Sequence, residues 1–125
     1  ICLTSSTAGQ MGYPLRSPYA SAKWAIVGLT KTLAMELGEA GVRVNAICPG
    51  AVEGPRMDRV IENEAAARRQ AIDAVRQSYV KGASMKTWVT AQDIANTIRF
   101  LASPSGSKIS GQILAVDGHT ETLAP

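Results

Sequence analysis

A tyrosine and a lysine four residues apart are the clearest candidates for chemistry in this sequence. Tyr19 and Lys23 fall in the first turns of a predicted long helix, where residues four apart share one face. A free tyrosine phenol, with a pKa of about 10, is a poor acid or base at neutral pH. A lysine ammonium one turn away stabilises the phenolate, and the positive end of the helix dipole acts in the same direction. The pair could therefore exchange a proton with a substrate oxygen.

Ser6 adds a third polar group near the start of this helix. It follows a strand predicted over residues 1–5, and a serine hydroxyl can donate to a carbonyl oxygen as negative charge develops there. Together with a hydride donor, Ser6, Tyr19 and Lys23 could reduce a ketone or oxidise an alcohol. The Tyr-x-x-x-Lys spacing alone is common on helices and is more often a surface pair than a site.

A strand, a long helix and a second strand must position these three residues. Ser17 is the predicted N-cap and Pro18 the first residue of a helix over 18–37. A buried strand is predicted over 42–48, and Pro49-Gly50 should end it. This order indicates a βαβ unit with parallel strands and a right-handed crossover.

The long helix carries two apolar stripes. The predicted core stripe is Ala22, Ile26, Leu29, Leu33 and Leu37, and the second stripe is Ala20, Trp24, Val27 and Ala34. A helix that is apolar on two sides should pack on two neighbours. The first neighbour would be the sheet and the second another subunit.

Residues 53–88 are predicted as a polar, lid-like insertion with one or two helices. A capping box at Thr90 and Asp93 then opens a helix that ends at Ser103-Pro104, and a last strand is predicted over 112–116. The inward-facing residues of that helix are predicted to be Ile94, Ala95, Ile98, Leu101 and Ala102.

The fold class predicted from this order is α/β: a partial Rossmann-like, doubly wound sheet of three parallel strands with flanking helices. Ligands of such sheets bind at the carboxyl ends of the strands. Those ends are predicted at Ser5-Ser6, Pro49-Gly50 and Asp117-Gly118.

Composition excludes several other classes of protein. Hydrophobic residues make up 46% and charged residues 18% of the 125 residues, which excludes intrinsic disorder. No apolar run approaches the roughly 20 residues that span a bilayer, and the two cysteines, Cys2 and Cys48, are too few for a disulfide framework. We therefore expect a reduced, cytoplasmic protein that does not bind membranes.

Neither nucleic-acid binding nor metal binding is expected. The net charge is +3, but acidic residues are interleaved with the arginines of residues 53–88, and aromatic residues are only 5%. His119 is the only histidine and follows a strand, a position typical of a surface residue. Arg56 and Arg59 could meet an acidic substrate, although solvated surface charge is the commoner outcome.

Four stretches resemble the motifs of the short-chain dehydrogenase/reductase family, in the family's order. They are TSSTAG at 4–9, SPYASAK at 17–23, VRVNAICPG at 42–50 and ISGQILAVDG at 109–118. The resemblance covers nearly the whole chain, and only residues 53–88 are generic.

This resemblance implies roles for individual residues. Tyr19 would be the general acid–base and would also contact the cofactor. Lys23 would lower the pKa of Tyr19 and bind the nicotinamide ribose of NAD or NADP, and Ser6 rather than Ser5 would polarise the carbonyl. Pro49, Gly50 and Val52 would lie against the nicotinamide, Val52 through its backbone. Gly54 stands where many members carry a threonine that contacts the cofactor.

The sequence also departs from the family's full pattern. It contains no G-x-G-x-x-G loop, none of the residues that choose between NAD and NADP, and not the helix that bears the family's catalytic asparagine; Asn45 lies in a strand and should tie that strand to neighbouring backbone. We therefore interpret residues 1–125 as a single domain equivalent to the carboxyl-terminal half of a dehydrogenase.

Two functional hypotheses follow. The first is an NAD(P)-dependent oxidoreductase that acts on a small-molecule alcohol or ketone and forms a dimer or tetramer through helix 18–37. The alternative is a truncated, non-catalytic domain that folds and self-associates but cannot hold the dinucleotide by itself.

Overall fold

A parallel sheet of three strands organises residues 1–124, the part of the chain that the computed structural model describes. The strands are β1 (Cys2–Thr4), β2 (Asn45–Pro49) and β3 (Ile113–Val116), and they lie in the order β1-β2-β3. Both pairings are parallel, with Ile47 opposite Thr4 on one side. The predicted α/β class and the parallel strands are therefore confirmed. The central strand is buried along nearly its whole length.

Side-chain hydrogen bonds shift the predicted starts of two strands. The strand predicted from Val42 begins at Asn45, because the backbone N–H of Val44 is taken by the Ser110 hydroxyl. The strand predicted from Gln112 begins one residue later, because the Gln112 N–H donates to the Asn45 side chain. The other end of β2 includes Pro49, which the sequence placed outside it, since a proline is tolerated at a strand terminus.

Helix α1 (Ser17–Leu37) begins one residue earlier than predicted and has a different cap. The N-cap residue is Arg16, no side chain caps the helix, and the predicted N-cap Ser17 is the first helical residue. Pro18 therefore occupies the second position, where its missing N–H costs no intrahelical hydrogen bond.

The two predicted stripes of α1 do not correspond to its buried face. Thr30 is its only fully buried residue, whereas Leu29 from the predicted core stripe and Trp24 from the second stripe are each 48% exposed. The half-buried apolar side chains come from both stripes: Ala20, Ile26, Val27, Leu33, Ala34 and Leu37. The sheet thus buries a single face that lies between the two stripes, and Ala22 is left exposed.

Two helices form the predicted insertion, α2 (Pro55–Arg68) and α3 (Ile72–Val80). They have a small apolar core of their own at Ile61, Ala65 and Val75, against which Met57, Tyr79 and Trp88 pack. Because these contacts lie mostly within the insertion, it forms a unit beside the sheet.

Helix α4 (Ala91–Ala102) begins with the predicted capping box, which is confirmed. The Thr90 hydroxyl accepts from the Asp93 N–H, and the Asp93 carboxylate accepts from the Thr90 N–H. Leu101 alone of the five predicted inward residues is fully buried, and Ala95, Ile98 and Ala102 are exposed because only a narrow face of the helix contacts the sheet.

None of the helices in residues 1–124 has the length and apolar character needed to cross a membrane.

Candidate active site

The carboxyl ends of the three strands meet at one edge of the sheet, as predicted. The N–H of Ser5 donates to the Ile47 carbonyl at 2.8 Å, and the N–H of Gly50 donates to the Val116 carbonyl at 3.0 Å. A Cβ atom on Gly50 would lie 2.7 Å from the Cβ of Asp117, so only glycine allows this approach. The residues that follow each strand are therefore held in close contact.

Lys23 lies between the Tyr19 ring and the end of β1. Its Nζ is 5.6 Å from the centre of the Tyr19 ring and donates to the Thr4 carbonyl at 3.5 Å. The Tyr19 residue is 45% exposed. The structure thus places a cation and a phenol on one face of α1, next to a strand terminus.

The two serines after β1 are used differently. Ser6 caps the short 3-10 turn Thr7–Gly9, and its Oγ accepts from the Ala8 N–H at 3.1 Å, which leaves its hydroxyl proton available to another acceptor. Ser5 is buried, and its hydroxyl donates to the Lys23 carbonyl at 2.8 Å. A substrate oxygen could therefore accept a hydrogen bond from Ser6 without breaking an existing one.

Sequence reasoning missed two residues beside Tyr19. The Tyr13 ring stands edge-on to the Tyr19 ring, with 6.5 Å between their centres. The guanidinium of Arg16 lies 5.8 Å from the centre of the Tyr13 ring, a distance typical of a cation–π contact. The sequence did contain a signal for these two residues, because both lie in the glycine-containing segment directly before α1.

The segment after β2 presents, at Val52, backbone groups that form no backbone hydrogen bond with any other residue in the range 1–124. Val52 forms an isolated parallel bridge with Val89, but the two hydrogen bonds of that bridge use the Ala51 carbonyl and the Glu53 N–H. The Val52 N–H and carbonyl therefore point away from Val89. The sequence predicted that Val52 would act through its backbone, and that role stays a prediction.

Polar contacts hold the two helices of the insertion together. The Tyr79 hydroxyl donates to a Glu64 carboxylate oxygen at 2.5 Å, and Arg76 pairs with Asp58. Arg76 also lies 5.5 Å from the centre of the Trp88 ring. These contacts fix α3 against α2.

The hydroxyl of Tyr79 is also held in its protonated form. Burial and the hydrogen bond to the Glu64 carboxylate raise the pKa of Tyr79 to about 12.

We expect Tyr79→Phe to lower the free energy of unfolding by about 1 kcal/mol at neutral pH, since one charge-assisted hydrogen bond is lost. Because the folded-state pKa of Tyr79 is raised, this contribution is complete below about pH 10 and is lost as the pH rises towards the folded value of about 12. Urea denaturation of both proteins between pH 7 and pH 11 measures the difference. In a Glu64→Gln protein, which keeps an acceptor without its charge, the folded-state pKa of Tyr79 should lie closer to 10, so the loss of stability above pH 10 should be smaller. A difference that does not depend on pH contradicts this prediction.

The structure also shows the surroundings of the other residues that were singled out in the sequence. Cys48 is buried, and burial raises the pKa of its thiol above the usual value. The exposed His119 lies 2.9 Å from the Ser84 hydroxyl and 3.9 Å from Glu121. Within residues 1–124, no cluster of three metal-ligating side chains is found. Arg56 and Arg59 are exposed on α2.

Known proteins match nearly the whole chain. Residues 1–119 match the family model described as enoyl-(acyl carrier protein) reductase. The chain is 36% identical over 118 residues to D-beta-hydroxybutyrate dehydrogenase of Rhizobium meliloti, which covers 91% of this chain and 45% of that protein. It is 33% identical over 114 residues to 3-oxoacyl-(acyl-carrier-protein) reductase of Thermotoga maritima, which covers 91% of this chain and 42% of that protein. The chain thus spans less than half the length of these curated relatives.

Solved structures share the fold. A short chain dehydrogenase family protein of Francisella tularensis superposes with a TM-score of 0.89 at 27% identity, over 94% of this chain and 49% of that chain. An F189W actinorhodin polyketide ketoreductase with NADPH gives a TM-score of 0.84 at 30% identity, over 94% and 45%. A 4-hydroxyisoleucine dehydrogenase complexed with NADH gives 0.72 at 31% identity, over 95% and 44%.

Proposed function

The chain belongs to the short-chain dehydrogenase/reductase family, and on that premise we propose that it supplies the catalytic residues of an oxidoreductase that interconverts a secondary alcohol and a ketone. One observation carries the proposal: Lys23 lies against the Tyr19 ring and at the end of the strand that leads to Ser6. This arrangement supports the proposal, because it brings a phenol and an ammonium group close to the strand end that precedes the Ser6 hydroxyl.

Each of the three residues has a separate task in this proposal. Tyr19 gives a proton to the carbonyl oxygen during reduction and takes it back during oxidation. The Lys23 ammonium stabilises the phenolate that remains after the proton has left. Ser6 donates its free hydroxyl proton to the same substrate oxygen, where negative charge develops.

The residues present fit the nicotinamide part of NAD or NADP. Lys23 Nζ contacts the Thr4 carbonyl at a long 3.5 Å, so its other protons can reach a ribose hydroxyl. The outward-facing N–H and carbonyl of Val52 offer a donor and an acceptor to a carboxamide, and Pro49-Gly50 would form a surface beside it. When bound, the nicotinamide supplies or accepts the hydride.

The proposed substrate class is a small molecule that carries a secondary alcohol or a ketone. The named relatives include a hydroxybutyrate dehydrogenase and a 3-oxoacyl reductase, whose substrates carry these groups. Residues 53–88 would form the lid over the substrate, since this insertion directly follows the residues proposed to lie against the nicotinamide, Pro49, Gly50 and Val52.

We further propose that α1 mediates self-association, in a dimer or a tetramer. Its exposed side includes Trp24, Leu29 and Met35, and the last of these is 85% exposed. Apolar side chains concentrated on one helix commonly mark a protein interface. Sedimentation velocity tests this idea, because Leu29→Glu should convert an oligomer into monomers, whereas a parent chain that is already monomeric contradicts it.

Titration of the purified chain with NADH and NADPH tests the cofactor assignment. Quenching of Trp24 and Trp88 fluorescence reports binding. Saturable binding at micromolar concentrations that Lys23→Met weakens would support the site described above. Absence of binding at millimolar concentrations would contradict it for the chain alone and favour the alternative, a folded domain that does not catalyse the reaction.

A further inference from the structure

A buried hydroxyl connects the strand that leads to Ser6 with the helix that carries Tyr19 and Lys23. Ser5 is 3% exposed, and its Oγ donates to the backbone carbonyl of Lys23 at 2.8 Å. This hydrogen bond joins the residue before Ser6 directly to the backbone of the residue that carries the proposed ammonium. The bond is shielded from water, so it holds its geometry better than an exposed one.

Gly9 shows how closely the chain is packed around this bond. A Cβ atom at position 9 would lie 2.3 Å from the Ser5 Oγ and 2.9 Å from the Lys23 carbonyl oxygen. Both atoms of the hydrogen bond therefore face Gly9 directly, and any side chain there would push them apart. The glycine is required for the close approach of the Thr7–Gly9 turn to α1.

Cys48 closes the other side of the same junction. It is fully buried near the end of β2, and this burial raises the pKa of its thiol. The Ser5 hydroxyl and the Ser6 backbone lie close to Cys48 and act in the opposite direction on that pKa. The Ser5 side chain is thus enclosed by β2, by the turn that follows Ser6 and by α1.

We propose that Ser5 is a positioning residue, whose buried hydroxyl fixes the location of Ser6 relative to Tyr19 and Lys23. Tyr19 and Lys23 share a helix and keep their mutual spacing without help. Ser6 belongs to a different element, and the short, buried bond from Ser5 to the Lys23 backbone connects the two, whereas the other polar contact, from Lys23 Nζ to the Thr4 carbonyl, is long and exposed. This proposal rests on the function proposed above.

Kinetics of Ser5→Ala and Ser6→Ala proteins, alone and combined, test the proposal. We expect Ser5→Ala to lower kcat roughly tenfold with little change in KM, since small misplacements of a catalytic group reduce the rate more than binding. In the Ser6→Ala background the same change should have almost no further effect, because Ser5 acts through Ser6. Multiplicative losses in the double variant would overturn the proposal.

Gly9→Ala gives a second, independent approach to the same bond. The added methyl group should reproduce the loss in kcat by displacing the Ser5 hydroxyl. Its effect should be smaller in a Ser5→Ala protein, where the nearest clashing atom is absent. Equal effects in both backgrounds would contradict the role assigned to the Ser5 hydroxyl.

Thr30→Val is the matched control. Thr30 is also buried on α1, and its hydroxyl donates to the Ile26 carbonyl at 2.7 Å, within the helix and beyond Lys23. We expect this variant to lose some stability but to keep the parent kcat. If Thr30→Val and Ser5→Ala reduce kcat equally, the effect is a general loss of stability and the proposal fails.

A crystal structure of the Ser5→Ala protein separates this proposal from the proposed function. After superposition on α1, Ser6 should be displaced relative to Tyr19 and Lys23. An undisplaced Ser6 overturns the positioning role even if the parent protein is active. A displaced Ser6 supports that role even if the parent chain shows no turnover, an outcome that would count against the proposed function alone.

Discussion

Tyr19→Phe should lower kcat by about 10³-fold, the size of effect that loss of a general acid–base typically produces. The substitution removes only the hydroxyl group, and the ring keeps its edge-on contact with Tyr13 and its place beside Lys23. Because Tyr19 is substantially exposed and donates no hydrogen bond within residues 1–124, the free energy of unfolding should change by less than about 0.5 kcal/mol. Steady-state assays in both reaction directions, with urea denaturation alongside, measure the two quantities.

Tyr13→Phe provides the control for this experiment. Its ring centre lies 6.5 Å from that of Tyr19, so it experiences much of the same surroundings. A protein that lacks only the Tyr13 hydroxyl should retain turnover within a few-fold of the parent. If Tyr19→Phe keeps the parent activity, or if Tyr13→Phe loses as much, the acid–base role does not belong to Tyr19.

Parts of the fold that depend on local rules could be predicted from the sequence. The capping box at Thr90 and Asp93 is one example, because all its hydrogen bonds lie within four residues. The parallel pairing of β1 and β2 is another, since a strand, a long helix and a second strand have few other ways to pack. The edge at which Ser6 and Gly50 lie follows from that pairing, and the parallel pairing of β2 with β3 adds Asp117.

Contacts between elements distant in sequence could not be predicted in the same way. The apolar residues of α1 fit two overlapping stripes, and only the position of the sheet decides which side chains are buried. The start of β2 depended on Ser110, whose hydroxyl takes the N–H of Val44, 66 residues away. Neither the buried face of α1 nor the start of β2 can be recognised from a pattern in the neighbouring sequence.

The site shows the same division between local and distant contacts. The four-residue spacing of Tyr19 and Lys23 is enough by itself to place both on one face of α1. The hydroxyl bond from Ser5 to the Lys23 carbonyl spans 18 residues and depends on how closely the chain approaches α1 at Gly9. The sequence could separate Ser5 from Ser6 only through the family resemblance, whereas the structure separates them by burial and by hydrogen bonding.

Lys23→Met has the second large expected effect, on both catalysis and cofactor binding. Methionine keeps most of the length and the apolar stem of lysine but removes the charge that lies 5.6 Å from the Tyr19 ring centre. We expect kcat to fall by about 10²-fold near neutral pH, because the phenolate loses its electrostatic stabilisation. The affinity for NADH or NADPH should also fall, since the donor proposed for the ribose is lost.

Lys31→Met separates the effect of this charge from a general effect of removing a lysine from α1. Lys31 lies about two turns further along the helix, and its Nζ donates to the Gly111 carbonyl at 3.5 Å, the same distance that joins Lys23 to Thr4. Both substitutions remove one cation and one long hydrogen bond to a backbone carbonyl. Only the Lys23 substitution should lower kcat and weaken cofactor binding, because only this ammonium lies beside the Tyr19 ring. Equal losses of kcat in both variants would show that the loss of positive charge acts at long range, and the assignment of Lys23 to Tyr19 would then be wrong.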